Sequence, residues 1–161
     1  MGKEIERKFL LHLEEWKKLI KPAGKHLRQG YISNNPEKTI RIRIAENQAW
    51  LTIKGITIGA SRLEYEYEIP LGEGLELLDN FAEAELEKIR YEIHHQDKLW
   101  EVDVFLGDNN GLIVAEIELD SEDEKFELPE WVAEEVTQEK KYYDSNLTKH
   151  PFKLWNINVQ K

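Results

Sequence analysis

The sequence predicts an α+β protein centred on a closed, roughly eight-stranded antiparallel β-barrel, a tunnel with a charged lumen and helices packed on its outside. Three observations predict it. Nearly every extended segment alternates between charged and apolar residues, so each strand carries its charges on one face. Those charged faces mix Arg and Lys with Glu and Asp. For any one strand a solvated outer face is the commoner explanation, but repetition along almost the whole chain favours a shared polar interior. Amphipathic segments between the strands supply cover for the apolar faces.

The chain opens with Glu4-Ile5-Glu6-Arg7-Lys8-Phe9-Leu10, which sets Glu4, Glu6 and Lys8 on one strand face and Ile5, Arg7 and Phe9 on the other. Two carboxylates beside an ammonium suit a hard divalent cation held next to an anion. Residues 12–21 carry Leu13, Trp16, Leu19 and Ile20 at helical spacing, and Pro22-Ala23-Gly24 ends that helix. Residues 26–33 are extended, include Gly30-Tyr31 and turn at Asn34-Asn35-Pro36. Ile40-Arg41-Ile42-Arg43-Ile44 separates its arginines from its isoleucines. Residues 49–55 set Trp50, Thr52 and Lys54 against Leu51 and Ile53, and Gly55 and Gly59 bracket a loop. Residues 62–69 then place Arg62, Glu64, Glu66 and Glu68 opposite Leu63, Tyr65, Tyr67 and Ile69, and Pro70 closes the strand.

The period changes over residues 71–87, where Leu75, Leu78, Phe81, Ala82 and Leu86 predict one helix. Strands follow at 88–93, 100–106 and 112–120, separated by turns at 94–97 and 107–111. Their charged faces hold Lys88 and Arg90, then Glu101 and Asp103, then Glu116 and Glu118. Pro129-Glu130-Trp131-Val132 reads as a helix start with proline in the first turn, and residues 140–147 as a further short helix. The tail, 152–161, is expected to dock on the domain through Leu154 and Trp155.

With 161 residues the chain is one domain by length, 1–161, with no linker or repeat. It contains no cysteine, which removes disulfides and thiolate metal sites and fits a cytoplasmic setting. No apolar run reaches membrane-span length, and the first residues are too acidic for a signal peptide. A net charge of −10 argues against nucleic acid and anionic membranes as partners. The histidines lack metal-ligand spacing, and there is no G-x-x-x-x-G-K-[ST] phosphate loop.

The inward candidates are therefore Glu4, Glu6, Lys8, Arg41, Arg43, Lys54, Arg62, Glu64, Glu66, Lys88, Arg90, Asp103, Glu116 and Glu118. Even at an effective dielectric of about 20, like charges packed several ångströms apart cost kilocalories per pair, so the two signs must compensate and a ligand complete the balance. Arg and Lys suit phosphate oxygens, whereas carboxylates reach phosphate only through a bridging cation, Mg²⁺ or Mn²⁺. So many basic positions suit a polyanion with several phosphoryl groups, which points to a triphosphate.

The ordered set Glu4-x-Glu6-x-Lys8, Arg41-x-Arg43, Lys54-Gly55, Arg62-x-Glu64-x-Glu66, Lys88-x-Arg90, Asp103 and Glu116-x-Glu118 resembles the CYTH superfamily of triphosphate tunnel metalloenzymes, nearly end to end. The resemblance implies that Lys8, Arg41, Arg43, Lys54, Lys88 and Arg90 bind phosphate, with Arg62 on the same face. It implies that Glu4, Glu6, Glu116 and Glu118 hold metal, and that Glu64 and Glu66 match family acidic positions, with Glu68 of the same parity. Asp103 falls among the acidic positions as a further metal candidate, and Tyr31 matches a tyrosine near the tunnel of short bacterial members. Residues 135–147 are similar to a C-terminal helix lying across one tunnel end. Short members opening in this way most resemble inorganic triphosphatases. The reaction expected is metal-dependent hydrolysis of tripolyphosphate, with Lys8, Tyr31, Glu116 and Glu118 closest to the chemistry. A class IV adenylyl cyclase, a thiamine or nucleoside triphosphatase and a non-catalytic triphosphate binder are the alternatives. The substrate is a small molecule, tripolyphosphate or an organic triphosphate such as ATP, and the oligomeric state is open between monomer and homodimer.

Overall fold

The computed structural model describes residues 2–155, and its strands form one ring. The strands are β1 (Lys3–Leu11), β2 (Lys25–Asn35), β3 (Lys38–Ala45), β4 (Gln48–Gly55), β5 (Ser61–Ile69), β6 (Ala84–His95), β7 (Lys98–Phe105) and β8 (Ile113–Glu118). A short ninth strand, β9 (Val132–Glu135), lies beside β1. Around the barrel the order is β1-β5-β4-β3-β2-β6-β7-β8, antiparallel at every pairing. The strand β1 closes the ring with both ends of its length. Lys3 to Ile5 pair with β5, Glu6 to Phe9 pair with β8, and Phe9 and Leu11 pair with β9.

Alternation along the strands turns the barrel inside out, with charges in the lumen and an apolar wall outside. Three helices stand outside the ring: α1 (Leu13–Lys18), α2 (Leu71–Phe81) and α3 (Asp144–Lys149). Trp16 on α1, with Leu119, Phe126 and Trp131 from the segment after β8, covers the outer faces of β6, β7, β8 and β1. Trp100 lies at the centre of that cluster, in edge-to-face contact with Phe9, Phe126 and Trp131 at 5.5–5.8 Å. Such pairs contribute about 0.5–1.5 kcal/mol each beyond area burial. On the β2–β4 side, α2 lies on the wall through Leu78 and Gly74. Ile53, Leu63, Tyr65 and Tyr67 on β4 and β5 stay exposed, so the wall is covered only in part.

A second apolar cluster, Leu86, Phe105, Leu112, Val114, Val136, Tyr142 and Leu147 with Leu10, Phe152 and Trp155, fills one end of the barrel. Several of these residues share strands and parity with the charged set, so the lumen changes from charged to apolar along its length and that end is sealed.

Three expectations are corrected. The helix expected over 71–87 stops at Phe81, and Ala84 already belongs to β6. There Glu85 ion-pairs with Arg28 of β2 and Glu87 hydrogen-bonds to His26 across the outer surface, contacts that an extended backbone makes and a helix would break. The helix expected from Pro129 is instead β9, because the free edge of β1 offers backbone partners: Val136 N–H donates to the Lys8 carbonyl at 2.7 Å and His12 N–H to that of Trp131 at 2.9 Å. The helix over 140–147 is a single 3-10 turn, Lys140–Tyr142, followed by α3. Of the tail, Phe152 and Trp155 dock on the second cluster while Leu154 is exposed, and residues 156–161 lie outside the described residues.

Candidate functional site

The charged half of the lumen is a cavity of about 210 Å³. Glu4, Glu6 and Lys8 of β1, Tyr31 of β2, Arg41 and Arg43 of β3, Lys54 of β4 and Arg62, Glu64 and Glu66 of β5 line it, with Arg90 of β6 and Glu116 and Glu118 of β8. Every residue singled out from the sequence is brought to this cavity except Lys88 and Asp103. Those two are 0% and 1% exposed and lie outside its lining, at the level where the lumen turns apolar. Lys88 Nζ donates to Asp103 at 2.7 Å, and Arg90 donates two parallel bonds to the same carboxylate at 2.8 and 2.9 Å. Both Asp103 oxygens are thus taken by cations away from the cavity lining, where Asp103 holds Arg90. The β5 register is settled as well: Glu64 pairs with Lys54 and Glu66 with Thr52, while Glu68 lies opposite Trp50 and accepts from Gln48 at 3.3 Å.

Strand register decides which charges meet. It sets Lys8 opposite Glu116, Glu4 opposite Arg62, Lys54 opposite Glu64 and Arg90 opposite Asp103, and all four pairs are in ionic contact. Glu4 is held below the ordinary carboxyl range: burial opposes this, but Lys54 and Arg62 outweigh it. The same balance holds Glu116 well down, with Lys8 and Arg90 overcoming burial. Lys8 is raised because Glu116 and Glu6 outweigh its burial.

Register also sets two pairs of like charges face to face, Glu6 opposite Glu118 and Glu101 opposite Glu116. Like charges directly opposite one another destabilise a sheet. Burial, then Glu116 and Glu4, pushes Glu6 up to about 8, and Glu118 and Glu101 are raised by burial first and neighbouring carboxylates next. The basic wall shows the converse. Lys54 is lowered by burial and by Arg41 and Arg62 despite Glu4, and Arg43 falls to about 10 through burial, Arg41 and Arg90. The cavity therefore holds a carboxylate cluster short of cations facing a basic cluster short of anions.

The carboxylate set fits a hard divalent ion by donor chemistry: oxygens only, at Glu4, Glu6, Glu64, Glu116 and Glu118, with excess negative charge. Among the described residues no three carboxylate or histidine side chains converge closely enough to hold an ion ready-made, because Glu4 and Glu116 point at Arg62, Lys54, Lys8 and Arg90 instead. A metal there must compete with these internal cations.

Sequence reasoning missed several cavity residues. Glu101, placed on the charged face with Asp103 but not carried into the inward set, and Thr39, which shares the parity of Arg41, both line the cavity. Thr137 and Asp144 carry no such signal. Gln29 is fully buried, accepting from Arg43 at 3.0 Å and donating to Asp144 at 2.8 Å, and Tyr31 above it is raised to about 12 by burial and then by Asp144.

The profile of the CYTH domain matches residues 2–151. The chain is 47% identical over 154 residues to a protein of Acetivibrio thermocellus named inorganic triphosphatase, covering 95% of this chain and 97% of that one. It is 35% identical over 153 residues to an inorganic triphosphatase of Nitrosomonas europaea, covering 89% and 95%. Among solved structures it resembles the inorganic triphosphatase NE1496 with a TM-score of 0.62 at 32% identity, over 92% of this chain and 95% of that one. A putative adenylate cyclase from Bacillus halodurans shares the fold, with a TM-score of 0.60 at 21% identity over 76% and 84%. On the span of the domain match and the identity to these relatives, the chain belongs to the CYTH family.

Proposed function

We propose that this protein is a divalent-metal-dependent inorganic triphosphatase that hydrolyses tripolyphosphate to pyrophosphate and phosphate. The observation that carries the reading is the meeting, in one cavity, of a basic cluster drawn from β1, β3, β4, β5 and β6 with carboxylates whose charge is incompletely compensated. The name of the relative at 47% identity supports the same reaction.

Lys8, Arg41, Arg43, Lys54, Arg62 and Arg90 bind the phosphate oxygens. The guanidinium forks fix orientation, and the ammonium groups follow the charge. Arg41 Nε has no hydrogen-bond partner among the described residues, and a bound oxygen satisfies it. Tyr31, protonated across the neutral range, donates a hydrogen bond to the chain. Lys88 acts through Asp103 and through its field. Glu4, Glu6, Glu64, Glu116 and Glu118 would hold Mg²⁺ or Mn²⁺, and such an ion supplies Lewis-acid polarisation and an activated water when bound. Glu66 completes the acidic rim from its exposed position on β5.

In the reaction, water oxygen forms a bond to a terminal phosphorus as the bond from that phosphorus to its bridging oxygen breaks, releasing phosphate and pyrophosphate. Lys8, between Glu116 and Glu6, stabilises the charge that develops on the transferring oxygens, and Glu118 orients the water. No Ser, Cys or His nucleophile is needed.

Phosphate release from tripolyphosphate with Mg²⁺ or Mn²⁺, against a chelator blank, tests the proposal. Release is expected from the wild type and a fall of at least about a hundredfold in Glu4→Gln/Glu6→Gln. Release no greater than that of the double variant would sink the reading. Chromatography of ATP products distinguishes a cyclase, which would yield cyclic AMP and pyrophosphate.

A further inference from the structure

Among the described residues Arg43 is the one guanidinium lining the cavity that touches no carboxylate. Arg41 contacts Glu66, Arg62 contacts Glu4, and Arg90 contacts Asp103 and Glu116. Arg43 instead meets a neutral amide, its Nε–H donating to Gln29 Oε1 at 3.0 Å. Gln29 lies opposite Arg43 in the β2–β3 register and is 0% exposed. Its other end faces Asp144, the first residue of α3: Nε2 donates to Asp144 Oδ2 at 2.8 Å and to the Tyr31 hydroxyl at 3.3 Å. Asp144 is itself fixed. The same Oδ2 accepts from Lys88 Nζ at 2.6 Å, and α3 is tied to β2 where Asn34 Nδ2 donates to the Ser145 carbonyl and to Thr148 Oγ1, both at 2.9 Å. Burial opposes its charge, but Lys88 and Lys8 outweigh that and hold its carboxyl below the ordinary range.

The two partners leave Gln29 a single orientation. An ionised carboxylate only accepts and a guanidinium only donates, so the amide turns its NH₂ to Asp144 and its oxygen to Arg43. The reverse would set acceptor against acceptor and donor against donor in a fully buried place. With Nε engaged, the Arg43 fork keeps its Nη nitrogens for the cavity. The amide also separates the two charges. A carboxylate in direct contact would compensate the arginine, whereas a neutral link fixes its direction and leaves its charge to an anion.

We propose that Gln29 is a positioning residue of the polyphosphate site, its amide oriented by Asp144 so that it aims the Arg43 fork at a phosphoryl group and keeps that arginine apart from the carboxylate. For the identity of the ligand this rests on the triphosphatase reading above.

The test uses the full chain as wild type, Gln29→Leu, Gln29→Glu, Arg43→Met and the double variant Gln29→Leu/Arg43→Met. Affinity for tripolyphosphate is measured by calorimetry in chelator and kcat/KM with Mg²⁺, and the same ratios are expected in both. Gln29→Leu is expected to weaken binding about tenfold beside Arg43 and less than about threefold in the Arg43→Met background, since a residue that acts through another loses its effect with it. Gln29→Glu keeps the shape but sets a carboxyl between Arg43 and Asp144, and two carboxyls in contact do not both ionise readily. Relative to the wild type at the same pH, its binding is expected to be about tenfold or more weaker at pH 8.5 and to recover by about threefold or more at pH 5, where the protonated acid donates to Asp144 as the amide does. A residue that merely fills the interior would lower the melting temperature and weaken binding by one factor, with or without Arg43 and at both pH values. Equal factors in the two backgrounds, or a Gln29→Glu ratio that does not change with pH, overturn the inference, and the pH comparison decides it where Gln29→Leu fails to fold. Wild-type protein that binds tripolyphosphate and fails to hydrolyse it sinks the triphosphatase reading and leaves the affinities to decide this one. Wild-type protein that neither binds nor hydrolyses it overturns both.

Discussion

At Glu6 the folded protein holds a proton that the unfolded chain releases. Its carboxyl is pushed up to about 8 by burial and by Glu116 and Glu4, against an ordinary value of 4.5. Between those values the folded state binds the extra proton, so stability falls as pH rises through the interval. Glu6→Gln removes that slope. In chelator it is expected to melt with the wild type at pH 5 and several degrees above it at pH 8.5, and scanning calorimetry at the two pH values checks this. Glu4, Glu6 and Lys8 were legible together because alternation belongs to one strand read by itself. Depth along the barrel is not written in parity. Lys88 and Asp103 point inward like their neighbours, yet lie at the level where the lumen turns apolar, so each becomes the other's partner. Asp144 was illegible for a different reason: it reaches Gln29 from 115 residues away, off a short helix with no periodic signal.

Among the elements, α2 shows how closely helix and wall are fitted. A Cβ at Gly74 would lie 2.5 Å from Ala49 Cβ, while one at Gly72 would meet nothing within 4 Å. Both glycines are in the same helix, so intrinsic propensity favours alanine at each by about 1 kcal/mol. Gly72→Ala is therefore expected to stabilise by about 0.5–1 kcal/mol, and Gly74→Ala to destabilise by about 1–3 kcal/mol because the helix must lift from β4. Urea midpoints at constant slope give both numbers. The strand pattern was readable wherever charge alternated with Ile, Val, Leu or Tyr, and it failed where pairing partners override local signal. Leu86 continues the apolar spacing of α2, but its neighbours Glu85 and Glu87 answer Arg28 and His26, and the chain is extended. Just before β9, Pro129 and Trp131 resemble a helix start, and only the vacant edge of β1 draws Val132 to Glu135 into the sheet.

Over the whole molecule an acidic surface surrounds a lumen whose basic cluster faces excess carboxylates, so a polyanion together with a divalent cation completes both halves. Tripolyphosphate with Mg²⁺ at about a hundred times its Kd is expected to add about 2.7 kcal/mol to stability, roughly 5–10 °C in melting temperature, read by thermal shift at rising concentration. The closure of the ring by β1 has a further consequence, for the order of assembly. Its pairings join Lys3 to Leu63 and Lys8 to Glu116, a separation of 108 residues in the second case, whereas β2–β3, β3–β4 and β4–β5 are consecutive hairpins. Long-range closure is slow because chain entropy is lost before the contacts form. Until β1 finds β8 the charged staves form an open, curved sheet with its ionic face in water, where each side chain keeps its hydration. Dehydration of the lumen is thus concentrated in that docking event.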